Sequence, residues 1–210
     1  MPICTGLAPD PRRPGYRVVE VDRGRFASLP EDALRPLGLA PGVEITPPIR
    51  DTLDAIAEVE GAYQAAVRLE RLRSHAKRDL RRRLILKQHR GEVVDQAIAR
   101  LEWSGVVDDR RFAETYARTR VSRGRGPSRV LRDLLSQGVD RRLAEQAVAA
   151  ALIEEGVDPA REARVVAERR VTQLRDLPPA TKRRRLMAFL VRRGFGGAET
   201  RDLVRELCGS

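Results

Sequence analysis

The sequence predicts a mainly α-helical repeat protein with a small β-hairpin-containing module at its N-terminus. Three observations lead to this fold class. Beyond Pro48, apolar residues recur at helical spacing. Glycines follow the apolar runs at regular intervals, as they do where helices end. Before Pro48, part of the chain alternates with the two-residue period of a strand.

The first fifty residues divide into a leader and a β-rich module. Residues 1–15 hold four prolines and two glycines, so we expect a flexible leader. The module covers residues 16–50. Its residues 16–21 and 25–29 are predicted strands, and Asp22-Arg23-Gly24 between them predicts a hairpin turn.

The rest of the module is short and rich in proline. A brief helix is expected from Pro30 to about Gly38, followed by a short strand over residues 43–46. Pro47 and Pro48 are expected to close the module. A unit of this size is too small to be stable alone, so it should pack on the helical body.

The helical body repeats about every fifty residues. Its predicted units are residues 51–107, 108–157 and 158–210, each of three helices. In each unit the middle helix carries two apolar residues four apart and then a glycine: Leu80, Leu84 and Gly91; Val130, Leu134 and Gly138; Leu186, Leu190 and Gly194. The first unit has two or three extra residues before its glycine. Stacked units of this kind predict an elongated, curved body with a concave surface.

The charge of the chain favours a polyanionic partner. Lys and Arg number 41 against 30 Asp and Glu, a net charge of +11, and most of the excess lies beyond residue 50. Basic clusters in residues 71–90, 118–132 and 182–193 lie on or just before the middle helices. The candidate partner- and DNA-binding residues are Arg81, Arg82, Arg118, Arg125, Arg129, Arg132 and Arg184. A solvated Arg-rich surface is the alternative, and an aromatic content of 4% argues against base stacking.

Groups able to do chemistry are sparse, so the sequence predicts no enzyme, no metal and no cofactor. Asp108 and Asp109 could hold Mg²⁺, but they stand where a helix begins and are predicted to cap it. His75 and His89 are the only histidines, and both lie inside a run of arginines, so they are predicted to be solvated and not to be metal ligands. The loop of residues 124–127 lacks the ending of a phosphate-binding loop, although its N–H groups could hold a phosphate.

The sequence contains no apolar stretch long enough for a membrane span and no signal peptide, so a cytoplasmic location is expected. Cys4 and Cys208 lie near the two chain ends. A disulfide between them is possible but is not expected in that compartment.

Four segments resemble the RecX family, regulatory proteins of the RecA recombinase. Residues 105–116, Gly-Val-Val-Asp-Asp-Arg-Arg-Phe-Ala-Glu-Thr-Tyr, are similar to that family's Gly-aromatic-Leu-Asp-Asp-x-Arg-Phe-Ala segment. Residues 123–130 with Leu134 and Gly138, residues 79–84, and residues 186–195 are similar to its other helix patterns. The hairpin of residues 16–45 is similar to the leader of longer members.

The resemblance implies a three-unit helical protein that lodges in the groove of the RecA–DNA filament as a monomer. There it would bridge recombinase protomers and DNA phosphates, and modulate or inhibit ATP hydrolysis, strand exchange and coprotease activity, or promote loss of the filament. It would thereby act in DNA repair, homologous recombination and the SOS response. Two alternatives stay open: a DNA-binding protein of architectural or repressor type that needs no recombinase, and a metal-dependent nuclease using Asp108 and Asp109.

Overall fold

A computed structural model describes residues 1–209 of the chain. Within these residues a three-stranded sheet precedes ten α-helices, which confirms the predicted fold class. The strands are β1 (Cys4–Pro9), β2 (Tyr16–Val21) and β3 (Gly24–Pro30). The helices are α1 (Glu31–Leu34), α2 (Pro47–Leu72), α3 (Lys77–Leu86), α4 (Gly91–Trp103), α5 (Asp109–Val121), α6 (Pro127–Ser136), α7 (Arg141–Glu154), α8 (Pro159–Thr172), α9 (Pro179–Arg193) and α10 (Ala198–Cys208), with a 3-10 turn at Arg35–Leu37.

The helices form three successive groups of three, α2–α4, α5–α7 and α8–α10, called repeats 1, 2 and 3 below. The chain also forms two compact units. The first holds Met1–Arg73 and Leu80–Val106, and the second holds Ser74–Asp79 and the chain from Val107 onward. The first residues of α3 therefore belong with the second unit. The exact limits predicted for the domains stay a proposal.

The sheet is antiparallel, with strand order β1-β2-β3. The predicted hairpin is confirmed: β2 pairs with β3, and Val19 lies opposite Ala27. Asp22 and Arg23 join them with φ angles of 47° and 66°. A two-residue turn of type I′ needs positive φ at both central residues, and Asp adopts that region more readily than most side chains.

The prediction of a flexible leader is wrong for residues 4–9, which form β1. This strand pairs with β2, so that Leu7 lies opposite Val19. Its first residue, Cys4, is fully buried. The four prolines do not prevent pairing because of where they stand. Pro9 is the last residue of the strand, where the missing N–H costs least, and the other three lie outside it.

Residues 43–46 and the two prolines after them also differ from the prediction. Only one bridge, between Ile3 and Glu44, replaces the expected short strand. Pro47 and Pro48 do not close the module; they begin α2, because proline is tolerated in a first helical turn whose N–H groups have no partner inside the helix. Leu53 of α2 joins the core of the β module, so the expected boundary at residue 50 falls inside a helix.

A buried carboxylate holds the β module against repeat 1. Glu60 of α2 is 5% exposed. Its oxygens accept hydrogen bonds from Arg100 at 2.9 Å, Gln64 at 2.7 Å, and Arg13 and Tyr16 at 3.3 Å each. Burial and the charge of Glu60 raise the pKa of Tyr16, so its hydroxyl keeps the proton that it donates. One acid thus joins α2, α4 and the start of β2.

The second unit has two cores, of which that of repeat 2 is rich in alanine. In repeat 2, α5 and α7 approach closely because fully or almost fully buried alanines, among them Ala113, Ala117 and Ala144, face one another. In repeat 3, Leu186 and Leu190 of α9 pack with Phe195 and with apolar residues of α8 and α10. Both middle helices therefore bury one apolar stripe and leave their other faces to the solvent.

All three middle helices end in the same backbone motif. Gly138 and Gly194 have φ angles of 89° and 97°, and the following N–H groups donate to Leu134 and Leu190 respectively. This is the hydrogen-bond pattern of a Schellman motif. In repeat 1 its left-handed residue is Gln88, with φ 68°, and not Gly91, which begins α4. The extra residues counted before Gly91 are therefore not an insertion, since Leu84 and Gln88 are spaced like Leu134 and Gly138.

Candidate partner-binding surface

The predicted binding residues are arginines on or beside the middle helices. Six of the seven are exposed and Arg129 is half-buried. They are Arg81 and Arg82 on α3, Arg118 on α5, Arg125 in the loop before α6, Arg129 and Arg132 on α6, and Arg184 on α9. Arg81 and Arg82 belong to the first unit and the other five to the second.

Three of these arginines are held by carboxylates of their own unit. Arg81 contacts Asp95 of α4 through two hydrogen bonds of 2.6 and 3.1 Å, which hold the pKa of Asp95 below its usual value. Arg118 lies 3.5 Å from Glu154, and Arg129 lies 2.9 Å from Asp133. A guanidinium already paired with a carboxylate must give up that pair to bind a phosphate, so these three are weaker candidates.

Arg125, Arg132 and Arg184 differ from these three arginines in how their side chains are paired. None of the three has an acidic partner in the part of the chain that the structure describes, and all are exposed. Helix α9, which carries Arg184, contains no acidic residue at all, although six of its fifteen residues are basic. An exposed, unpaired guanidinium keeps its five N–H donors for a ligand.

The structure brings the second and third basic clusters together through the backbone. The N–H of Gly126 donates to the carbonyl of Arg193 at 2.9 Å, and the N–H of Ser128 donates to the carbonyl of Gly194 at 3.2 Å. The start of α6 therefore meets the end of α9, a contact called here the 126–194 junction. Arg125 and Arg193 flank it directly and are both exposed.

Glycine makes this junction possible. A Cβ on Gly126 would lie 2.5 Å from the carbonyl oxygen of Gly194, so no side chain fits there. A Cβ on Gly138, at the end of α6, would instead lie 2.4 Å from side-chain carbons of Arg78. The sequence gives no signal for this docking, because the glycines also serve the ordinary purpose of ending a helix.

The 126–194 junction also changes the prediction for the loop of residues 124–127. The N-terminus of α6 was expected to be able to hold a phosphate through its N–H groups. Two of these groups, on Gly126 and Ser128, are bound instead to carbonyls of α9. The cations beside the loop are therefore better candidates than its backbone.

Asp108 and Asp109 both cap helices, as predicted, but they cap different ones. The carboxylate of Asp108 accepts the N–H groups of Arg110 and Arg111 at the start of α5, at 2.8 and 3.1 Å. Asp109 accepts the N–H of Lys77, the first residue of α3, at 2.8 Å. Each carboxylate is thus aimed at backbone donors, which is the geometry of a cap and not of a shared metal site.

The remaining reactive side chains are mostly enclosed. The prediction that His75 is solvated is wrong. The residue is 3% exposed and stands next to the buried Ala76, which immediately precedes α3. Cys4 and Cys208 are both free thiols and buried, and burial raises the pKa of each. Within residues 1–209, no group of three or more His, Cys, Asp or Glu is placed to hold a metal ion. No helix of that range is long and apolar enough to cross a membrane.

Tandem three-helix repeats, with a glycine contact between repeats 2 and 3 and exposed arginines beside that contact, define a basic helical-repeat protein. Comparison with known proteins shows its family. Residues 108–148 match the model of the second three-helix domain of RecX, and residues 160–204 match the model of the third. The regulatory protein RecX of Halorhodospira halophila is 36% identical over 154 residues, which cover 72% of this chain and 89% of that protein. The chain belongs to the RecX family of regulatory proteins.

Solved structures agree on the fold. A crystal structure of regulatory protein RecX superposes with a TM-score of 0.77 at 17% identity, covering 98% of this chain and all of the other. RecX from Lactobacillus salivarius gives a TM-score of 0.58 at 18% identity, covering 71% of this chain and 96% of the other. At this level of identity the likeness concerns the fold alone.

Proposed function

We propose that this protein is a non-enzymatic regulator that binds the RecA–DNA filament in its groove and inhibits the filament's ATPase, strand-exchange and coprotease activities. It would act as a monomer in the cytoplasm and so regulate DNA repair, homologous recombination and the SOS response. Membership of the RecX family supports RecA as the partner. The observation that carries the DNA contact is the pair of exposed arginines, Arg125 and Arg193, that flank the 126–194 junction.

The chemistry of that group suits the backbone of a nucleic acid. Exposed guanidinium groups without carboxylate partners bind phosphates and release the counterions that surround them. Such contacts are independent of base sequence, which a regulator of a filament formed on any DNA requires. They also leave the remaining surface of the repeats available for the recombinase protomers.

The test is a titration of DNA-dependent ATP hydrolysis by the recombinase of the same organism. We expect this protein to inhibit hydrolysis at less than one molecule per recombinase protomer, because one regulator in the groove would contact several protomers. The absence of an effect at every ratio, with folded protein, would refute the proposal. A parallel titration of naked duplex DNA separates the alternative: sequence-preferring binding without recombinase would favour a repressor-type protein.

Reversing the charge of Arg125 and Arg132 should weaken binding to the filament by about ten- to a hundred-fold at low salt. Neither arginine has an acidic partner within residues 1–209, so the Arg125→Glu/Arg132→Glu variant should keep its thermal midpoint to within about 2 °C. Arg129 is left unchanged because its reversal would place two acids four residues apart, at positions 129 and 133.

The matched control for this variant is Arg23→Glu/Arg68→Glu. These two exposed arginines have no acidic partner in the described part of the chain and belong to other elements than the middle helices, the hairpin turn and α2. The net charge changes equally, so the control measures the nonspecific effect of lost positive charge. Equal weakening by both variants would show that Arg125 and Arg132 make no specific contact.

A further inference from the structure

Repeat 3 contains a small cleft that the sequence did not point to. It has a volume of about 250 Å³ and lies between the C-terminal halves of α8 and α9. Its lining consists of Val166, Arg169, Arg170, Gln173, Phe189 and Arg193, and is called here the Phe189 cleft. Three of these six residues are arginines and none is acidic. A cleft with this lining attracts an anion.

The aromatic ring fixes two of the arginines. The guanidinium carbons of Arg170 and Arg193 lie 5.4 and 5.3 Å from the centroid of the Phe189 ring. The ring itself packs against the core of repeat 3, so it cannot turn away. A guanidinium held on an aromatic face keeps its N–H groups at its edge, where they are available to a planar or tetrahedral anion.

Most N–H groups of the arginines in the Phe189 cleft make no hydrogen bond with the described residues. None of the three arginines has an acidic partner among residues 1–209, and Arg170 donates only to the side-chain oxygen of Gln173, at 2.6 Å. The Nε of Arg170 is buried and has no acceptor among the described residues. A buried donor without an acceptor costs free energy unless a ligand supplies one. An anion with several oxygens would therefore accept hydrogen bonds from these arginines without displacing a carboxylate.

We infer that the Phe189 cleft binds a phosphodiester group of a nucleic-acid strand. A strand fits better than an isolated phosphate because the cations continue along the same helix. Lys182, Arg185, Phe189 and Arg193 are spaced by three and four residues and so share one face of α9. That face is about 16 Å long, enough for several phosphates of one strand, and it leads to the 126–194 junction.

This inference rests on the proposed function, since it names one place where the regulator would contact the DNA of the filament. The test uses the full chain without recombinase and a fluorescent single-stranded oligonucleotide, with affinity measured over a range of salt concentrations. We expect the Arg170→Gln/Arg193→Gln variant to bind about ten-fold or more weakly, with a salt slope lower by about 1.4 if two phosphate contacts are lost. Arg23→Gln/Arg68→Gln, which removes the same charge elsewhere, should bind like the wild type.

Two milder variants separate the geometry of the cleft from its charge. Arg170→Lys/Arg193→Lys keeps both charges but removes the planar forks, and Phe189→Leu removes the ring while changing no charge. Each should weaken oligonucleotide binding several-fold, with a cooperative unfolding transition retained. Wild-type affinity in the Gln variant would overturn the inference, and so would a wild-type protein that binds inorganic phosphate but no oligonucleotide.

The recombinase ATPase assay distinguishes this inference from the proposed function. If the wild type inhibits hydrolysis and the Gln variant binds the oligonucleotide normally, the cleft inference fails and the proposed function stands. If the wild type does not inhibit hydrolysis while the Gln variant loses oligonucleotide binding, the proposed function fails and the cleft inference stands.

Discussion

Replacing Gly194 with alanine is expected to lower the free energy of unfolding by about 3 to 5 kcal/mol. Two effects add. The φ angle of Gly194 is 97°, in a region that L side chains rarely adopt. The new Cβ would also lie 2.5 Å from the backbone nitrogen of Arg129 and 2.6 Å from the carbonyl oxygen of Gly126. Both are backbone atoms, so neither can rotate out of the way.

The matched control is Gly156→Ala, between α7 and α8. Gly156 has a positive φ of 61°, but a Cβ there would meet no atom within 4 Å. The control therefore carries only the backbone strain, which is about 1 to 2 kcal/mol. Urea unfolding of both variants measures the difference. Equal losses of stability would mean that the 126–194 junction opens without cost and does not hold repeats 2 and 3 together.

Replacing Glu60 with glutamine should cost about 2 to 4 kcal/mol of stability. The substitution keeps the size of the side chain but removes the negative charge that Arg13 and Arg100 share. Arg100 also lies 4.0 Å over the ring of Tyr63, so it cannot leave the site without losing that contact as well. The β module should loosen first, because Arg13 and Tyr16 reach the core of repeat 1 through this carboxylate.

Glu58→Gln provides the comparison on the same helix. Glu58 is exposed and lies 3.4 Å from Arg90, and exposed pairs of this kind contribute about 1 kcal/mol or less. Unfolding curves give the two losses of stability, and amide hydrogen exchange in β2 reports whether the module opens early. If Glu60→Gln is no more costly than Glu58→Gln, the network does not anchor the module.

Much of the fold could be predicted from the sequence because local patterns determine it. The hairpin follows from alternation around Asp22-Arg23-Gly24, and the repeats follow from pairs of apolar residues four apart that precede a glycine. The same reasoning missed β1, since its strand character depends on the pairing partner β2 and not on its own proline-rich composition. It also missed Gln88, because a single glutamine carries no signal for a left-handed backbone.

The candidate surface was less predictable than the fold. Sequence reasoning found the basic clusters, but it could not distinguish Arg81 from Arg125. Asp95, the partner of Arg81, lies on a different helix, and only the folded chain brings the two together. The Phe189 cleft could not be predicted from the sequence for a similar reason. Arg170 and Phe189 are nineteen residues apart and come into contact because α8 packs on α9.

The glycine contact at the 126–194 junction determines where the chain can change in length. The step from Leu80 to Val130 is 50 residues, and that from Val130 to Leu186 is 56. The six-residue excess lies between Val130 and Leu186. The spacing from Leu84, Leu134 or Leu190 to the left-handed residue that follows is four in all three repeats. Compared with the same stretch of repeat 2, four of the six extra residues lie at the start of α9, one lies in the connection before it and one in α8, all away from the junction. An added residue beside Gly126 or Gly194 would rotate the flanking arginines off their common surface.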